Sequence, residues 1–190
     1  TVDLIRSTKA QGGKVTVLSG AGISTASGIP DYTSGAWLPL GVLVTDYNFA
    51  NFVSSDRCRN LYWDACAHFY SVVSGAQANA GHRALAALES RGWVDSIVTQ
   101  NVDSLHQKAH SRKVVELHGT LDHVHCLKCA WKGEWPKPPA QITCPKCGGL
   151  VKPAVIAMGE NIQPAVWAEA WSQLKGSALV IVVGSQLAIT

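Results

Sequence analysis

Charge is what this sequence has least of. Asp, Glu, Lys and Arg make up 15% of the 190 residues and leave a net charge of +3. That balance excludes a strongly basic nucleic-acid-binding face and a highly charged disordered chain. No apolar run approaches the ~20 residues that a membrane span requires. The opening TVDLIRSTKAQGG lacks the apolar stretch of a signal peptide and reads as the end of a helix. Its first residue is not Met, which leaves a removed targeting segment open. Internal repeats and low-complexity tracts are absent as well. Neither nucleic acid nor a membrane is expected as a partner. What is abundant is apolar side chain, at 47%, in a chain long enough for one good-sized domain or one domain with a small insert.

The apolar residues come in short β-branched runs separated by helical patterns. KVTVLSGAG (14–22) reads as a buried strand entering a glycine turn, VDSIVTQN (94–101) as a second strand, and 114–118 as a third. VKPAVIAMG returns to a buried strand after residue 150, and SALVIVVG is the clearest parallel-strand signal. Helices are predicted over 49–70, over 79–91 with Gly92 as the stop, and over 164–175, with a short helix or turn at 102–109. Residues 30–48 have no clean period and read as a long loop. Alternating strands and helices predict an α/β fold: an open, mostly parallel sheet with helices on both faces. The chain ends at GSQLAIT, just past a strand and its glycine turn, where a doubly wound half continues with further β-α units. The sequence therefore reads as truncated.

Four of the six cysteines form two CxxC pairs: Cys126 and Cys129 in CLKC, Cys144 and Cys147 in CPKCGG. Each pair aims two thiolates at one ion from a tight turn, and four complete a tetrahedral zinc shell. The surrounding residues 119–150 hold few aliphatics, so a bound ion is expected to supply folding energy that a small core does not. A closed four-cysteine shell has no open position, which makes the zinc structural. In a reducing, intracellular compartment the pattern favours metal over disulfides. Domain boundaries follow: 1–118 with 151–190, including a helical and loop insert at about 30–75, and a separate module at 119–150.

With four thiolates available, the histidines of ELHGTLDHVHCLKC (116–129) are surplus to the metal. His123 and His125 alternate along a strand as ordinary polar residues. His118 ends a strand just before Gly119, at the sheet edge where α/β proteins carry chemistry. GAGIS (20–24) is a glycine turn of the kind that lets backbone N–H groups approach a phosphate. TQNVDSLH sets Gln100, Asn101 and Asp103 in a row; amides and a carboxylate there suit ribose hydroxyls and a carboxamide, though Asn101 or Asp103 would also serve as a helix cap.

LSGAGISTASGIPDY, TQNVDSLH, ELHG, the paired CxxC motifs, KPAVIAMGE and VVGSQL occur in the order seen in sirtuins. The resemblance runs over residues 14–188. FVSSDRCRNLYWDAC, NAGHRALAALE and AHSRKVVELHG most resemble the branch that contains a mitochondrial sirtuin and many bacterial ones. It implies a Rossmann-like NAD-binding domain with a zinc-ribbon insert, NAD as co-substrate, an acyl-lysine protein or peptide as partner, and a mitochondrial matrix or bacterial cytoplasmic setting. The implied activity is NAD-dependent protein-lysine deacylation, in which the acyl oxygen attacks the nicotinamide ribose. His118 would then take a proton from a ribose hydroxyl, giving nicotinamide, free lysine and O-acyl-ADP-ribose. Asn101 would order the ribose and a water, Asp103 the carboxamide, and Gln100 the ribose hydroxyls. Gly20, Ala21, Gly22 and Ser24 would line the phosphates, Pro30, Asp31 and Tyr32 would start the cofactor loop, and Gly184 and Ser185 would close over the phosphate and ribose. Val155, Ile156, Met158, Gly159 and Glu160 would pair with the substrate backbone by β-addition.

The sequence departs from the family pattern in places. Thr33 stands where Arg follows the aromatic, Met158 where Phe precedes Gly-Glu, Ala154 for Asp, Ala78 for Pro, and Gln186 for the second residue of Gly-Thr/Ser-Ser. Two other functions keep parts of the same pattern: transfer of ADP-ribose to a protein side chain, and a non-catalytic reader of nucleotide or acyl-lysine.

Overall fold

The computed structural model describes residues 2–31, 48–136 and 141–187. Along the chain lie α1 (Val2–Ala10), β1 (Val15–Ser19), α2 (Phe49–Ser54), α3 (Asp56–Gly75), α4 (Ala80–Ser90), β2 (Ser96–Thr99), α5 (Leu105–Lys108), β3 (Val114–Glu116), β4 (Gly119–Cys126), β5 (Lys132–Gly133), β6 (Val151–Val155), α6 (Pro164–Lys175) and β7 (Leu179–Val183). Two 3₁₀ turns, Ala21–Ile23 and Thr25–Ser27, follow β1. The expectations on Tyr32 and Thr33, and on most of the 30–48 loop, lie outside the described residues.

Four strands form one sheet in the order β3-β2-β1-β7, and every pairing in it is parallel. Period-2 alternation gives its two faces different clients. Val15, Val17 and Ile97 pack with Leu85 of α4, Ile23 and Val94. On the opposite face Thr16 bonds the end of α6, at the Gln173 carbonyl and the Ser177 hydroxyl. Helices therefore cover both faces, as the run pattern predicts. β7 forms where expected but is an outer strand rather than a buried one. Val180 and Val182 are 39% and 43% exposed, while Ile181 and Val183 turn to the core.

A second sheet, antiparallel, has the order β5-β4-β6. The sequence places the return to the main domain at residue 151; the pairing instead carries the small sheet on to Val155, which lies opposite Gly119. The crossing back comes at Ile156, whose N–H donates to the His118 carbonyl at 2.8 Å. The small sheet also shares an apolar core with the helical insert. Leu121, Val124, Trp135 and Val151 pack with Phe52, Tyr62 and Trp63 of α2 and α3. Trp135 stacks on Tyr70 at 4.5 Å and meets Trp63 edge-on at 5.6 Å. The helical insert thus belongs, by packing, with the small sheet. Among the described residues no helix is long and apolar enough to cross a membrane.

Candidate functional site

The carboxyl ends of the parallel strands converge on one place: Gly20 after β1, Gln100 after β2, His118 after β3 and Gly184 after β7. This is the edge at which open parallel sheets bind ligands.

The glycines there are required by backbone approach. The Gly22 N–H donates to the Gly184 carbonyl at 2.9 Å. A Cβ on Gly20 would sit 2.8 Å from that same carbonyl, and one on Gly184 would sit 2.3 Å from the Ile23 nitrogen. Gly184 also has φ +66, in the region that penalises a side chain. The two glycine turns are therefore locked together, and Gly22 and Gly184 stay exposed at the surface. Ala21 and Pro30 lie half-buried beside them, as does Asp31. Ser185 bonds the Gln100 side-chain oxygen at 2.9 Å, joining the ends of β7 and β2.

Below the glycine turn lies a buried polar network. The Asn101 amide nitrogen donates to the Gly20 carbonyl (3.2 Å) and the Ser24 hydroxyl (3.1 Å). Ser24 donates to Asp103 Oδ2 at 2.6 Å, and Asp103 Oδ1 accepts from the Leu105 N–H at 2.9 Å. Asp103 thus holds the first N–H of α5, from the residue before the cap position Ser104, as well as joining this network. Ser24, expected on the phosphates, is 0% exposed. The second 3₁₀ turn folds it beneath the loop, where its hydroxyl links Asn101 to Asp103. Residues that motif reading missed hold this network in turn. The Asn101 N–H donates to Thr99 Oγ1 (3.1 Å), Ser19 Oγ donates to the same oxygen (2.9 Å), and His106 Nε2 lies 2.8 Å from Ser19 Oγ. They lie within LSGAGIS and TQNVDSLH, but nothing in those motifs assigns them this role.

His118 is half-buried at the end of β3. Its Nδ1 bonds the Gln100 carbonyl at 3.1 Å. A carbonyl only accepts, so the Nδ1 carries the proton and Nε2 keeps a lone pair. Burial pushes the imidazole pKa below its ordinary value, and the Gln100 carbonyl offsets part of that. Gly119 must be glycine: its φ is +78, and a Cβ would lie 2.0 Å from the Ala154 oxygen.

The segment Val155–Glu160 leaves the small sheet beside His118. Its groups are already partly engaged. The Val155 carbonyl accepts from the Lys152 ammonium, and the Met158 carbonyl accepts from Phe49 N–H at 2.8 Å. Met158 is 46% exposed, and Gly159 turns with φ +73. The Glu160 carboxylate points inward, to the Ala157 N–H at 2.7 Å and to Lys152 Nζ at 2.8 Å. Glu160 thus fastens the segment and does not line its outer edge.

The four cysteine sulfurs all lie within 4.8 Å of one another. Cys126 and Cys147 are 3.6 Å apart, Cys129 and Cys144 3.7 Å. A tetrahedron with Zn–S bonds of about 2.3 Å has edges of about 3.8 Å, so the cluster fits a zinc ion. Gly149 makes room: its Cβ would lie 3.2 Å from two of the sulfurs. His123 and His125 take no part in this cluster.

Comparison with known proteins matches this architecture. The family model of the Sir2 family matches residues 20–190. An NAD-dependent protein deacetylase of Bordetella pertussis is 38% identical, over 90% of this chain and 74% of its own length. An NAD-dependent protein deacylase of Aeropyrum pernix is 35% identical, over 90% of this chain and 70% of its own. Among solved structures, a Sir2 homologue in complex with NAD superposes with TM-score 0.84 at 33% identity, covering 100% of this chain and 74% of that one. Sir2Tm bound to a propionylated peptide superposes with TM-score 0.82 at 30% identity, covering 99% and 75%. The glycine turn, the Asn101–Asp103 network, His118 and the four-cysteine cluster thus sit on a scaffold shared with these proteins, and the chain belongs to the Sir2 family, the sirtuins.

Proposed function

We propose that this chain is an NAD-dependent protein-lysine deacylase with His118 as its general base. The observation that carries the reading is the bond from His118 Nδ1 to the Gln100 carbonyl. It fixes the tautomer and leaves Nε2 its lone pair, while burial favours the neutral ring. NAD, the co-substrate, supplies a ribose carbon that becomes electrophilic as nicotinamide leaves. Gly20, Ala21, Gly22 and Gly184 offer close backbone approach to its phosphates, with Ser185 and Gln100 toward a ribose. Pro30, Asp31 and Tyr32 open the cofactor loop. Asn101 orients the reacting ribose, and Asp103, through Ser24, keeps Asn101 in one rotamer while facing the carboxamide side. His118 accepts the ribose hydroxyl proton. The acyl-lysine peptide lies along Val155, Ile156, Met158 and Gly159, with Glu160 holding that edge in shape. The solved relatives with NAD and with propionylated peptide support this use of the cleft.

Cys126, Cys129, Cys144 and Cys147 would hold one structural zinc, and four reduced thiols fit a reducing, intracellular compartment. We draw the domains as 1–118 with 151–190, and 119–150, with β6 and the helical insert of the first completing the sheet and core of the second. The test is nicotinamide release from NAD, with and without an acyl-lysine peptide mixture, in this chain and in His118→Ala. Peptide-dependent release that vanishes in the variant is expected. Label from NAD appearing in protein would instead make it an ADP-ribosyltransferase. Ligand binding with no release would make it a reader.

A further inference from the structure

Two fully buried histidines take no part in the chemistry above. His82, in α4, is 0% exposed, and His106, in α5, is 1% exposed. Their rings meet edge-on with centroids 5.0 Å apart. Each has one nitrogen without a partner: Nε2 of His82 and Nδ1 of His106. A buried, unsatisfied polar atom is costly, and two of them on touching rings call for a joint explanation.

Their hydrogen bonds fix where the protons are. His82 Nδ1 accepts from the Asn79 N–H, so its proton is on Nε2. Ser19 spends its single hydroxyl proton on Thr99 Oγ1, so His106 Nε2 must donate to Ser19 Oγ, and His106 Nδ1 carries a lone pair. The two orphan atoms are therefore a donor and an acceptor. From His106 the line continues through Ser19 and Thr99 to the Asn101 N–H. On the other side, His82 belongs to the Asn79 cap, and the Asn79 amide donates to the Ile23 carbonyl of the glycine turn at 2.8 Å.

We infer that His82 and His106 are positioning residues: a neutral pair in edge-on contact, with a donor nitrogen on one ring and an acceptor on the other, that sets the Ser19–Thr99 hydroxyl line on which Asn101 rests. The pair connects the glycine turn to Asn101 from beneath, through buried side chains. Burial is the leading cause that holds both imidazoles below their ordinary pKa, His106 at about 4, consistent with neutral rings. The inference rests on the deacylase reading for its kinetic consequence, not for its proton assignment.

Two measurements test it. The first is kcat and the KM values for NAD and peptide in His106→Leu, His106→Gln and the His82→Leu/His106→Leu double variant, each checked for one bound zinc. A glutamine amide nitrogen stands where Nε2 was and still donates to Ser19. His106→Leu is expected to lower kcat roughly tenfold to a hundredfold with the peptide KM unchanged. His106→Gln should recover most of that, and adding His82→Leu should cost little more. Equal kinetics in the leucine and glutamine variants would reduce His106 to a core-filling ring and overturn the inference. The second is nitrogen-15 NMR of the imidazoles in the unaltered protein, which does not depend on activity or on a variant folding. Both rings should carry their proton on Nε2; a His106 protonated on Nδ1 would overturn the pair. Absence of nicotinamide release from the unaltered protein would count against the deacylase reading and leave the NMR result to decide the pair.

Discussion

Gly119 and His118 are adjacent, and the first confines the second. At φ +78, a Cβ on Gly119 would lie only 2.0 Å from the Ala154 oxygen. Gly119→Ala must therefore displace either the start of β4 or the start of the 155–160 segment. A cost of about 3 kcal/mol or more is expected, read as a lower urea midpoint, with His118 misaligned and turnover lost. His118 itself should show in the pH profile. Burial lowers its pKa, so the acid limb of kcat/KM should lie below the ordinary imidazole value of about 6.5. A limb centred above pH 7 would assign the base elsewhere. The four cysteines were legible because zinc chemistry needs thiolates at that spacing, and the places of His118 and Asn101 were legible because each follows a strand of the parallel sheet. The burial of Ser24 was not legible for a physical reason: whether a serine after a glycine turn faces out or in depends on how the 3₁₀ turn rotates, and the local sequence is compatible with both. Ser19, Thr99 and His106 lie within LSGAGIS and TQNVDSLH, but their roles were not legible there, because a hydroxyl line between strands is visible only once the strands are paired.

At the scale of elements, the 155–160 segment is held by a buried ion pair. Lys152 is 0% exposed and bonds both the Glu160 carboxylate and the Val155 carbonyl. Removing one partner of such a pair strands the other, at about 3–5 kcal/mol. Lys152→Met should therefore lower stability by that order, and the peptide KM should rise more than the KM for NAD, because the fastened element carries the peptide edge. Lys152→Met with Glu160→Leu should recover much of the stability and little of the KM. A KM for NAD that rose equally would mean that the pair supports the whole cleft. The strands and helices themselves were legible from aliphatic runs and stop residues, and α6 matches its predicted bounds. Partnership was not. A helix of aromatic periodicity such as α3 announces that it will be buried, but not against which sheet, and VKPAV reads equally well as a parallel or an antiparallel strand.

For the whole molecule, two cores meet at the His118–Gly119 junction, so events in either reach the site. Chelating the zinc should loosen the small sheet and red-shift the emission of Trp63 and Trp135, both buried there. The exposed Trp167 and Trp171 on α6 should change little. Acid acts on both cores. His82, His106, His118, His123 and His125 all have pKa values lowered by burial as the leading cause, with His106 and His125 at about 4. A lowered histidine pKa means that below about pH 6.5 the unfolded chain binds protons that the folded chain refuses. The native state thus keeps its full stability above that pH and loses it as pH falls from about 6.5 toward 4. His106 alone accounts for a loss on the order of 3 kcal/mol across that window. Thiolate ligands compete with protons for zinc in the same direction, so the two contributions must be separated. Melting temperature should be followed from pH 7.5 to 4.5 in the zinc-loaded protein and in His106→Gln, which keeps the Ser19 bond but cannot be protonated. A steeper fall in the unaltered protein than in the variant is the expected result; parallel curves would assign the acid sensitivity to the zinc site and the other histidines.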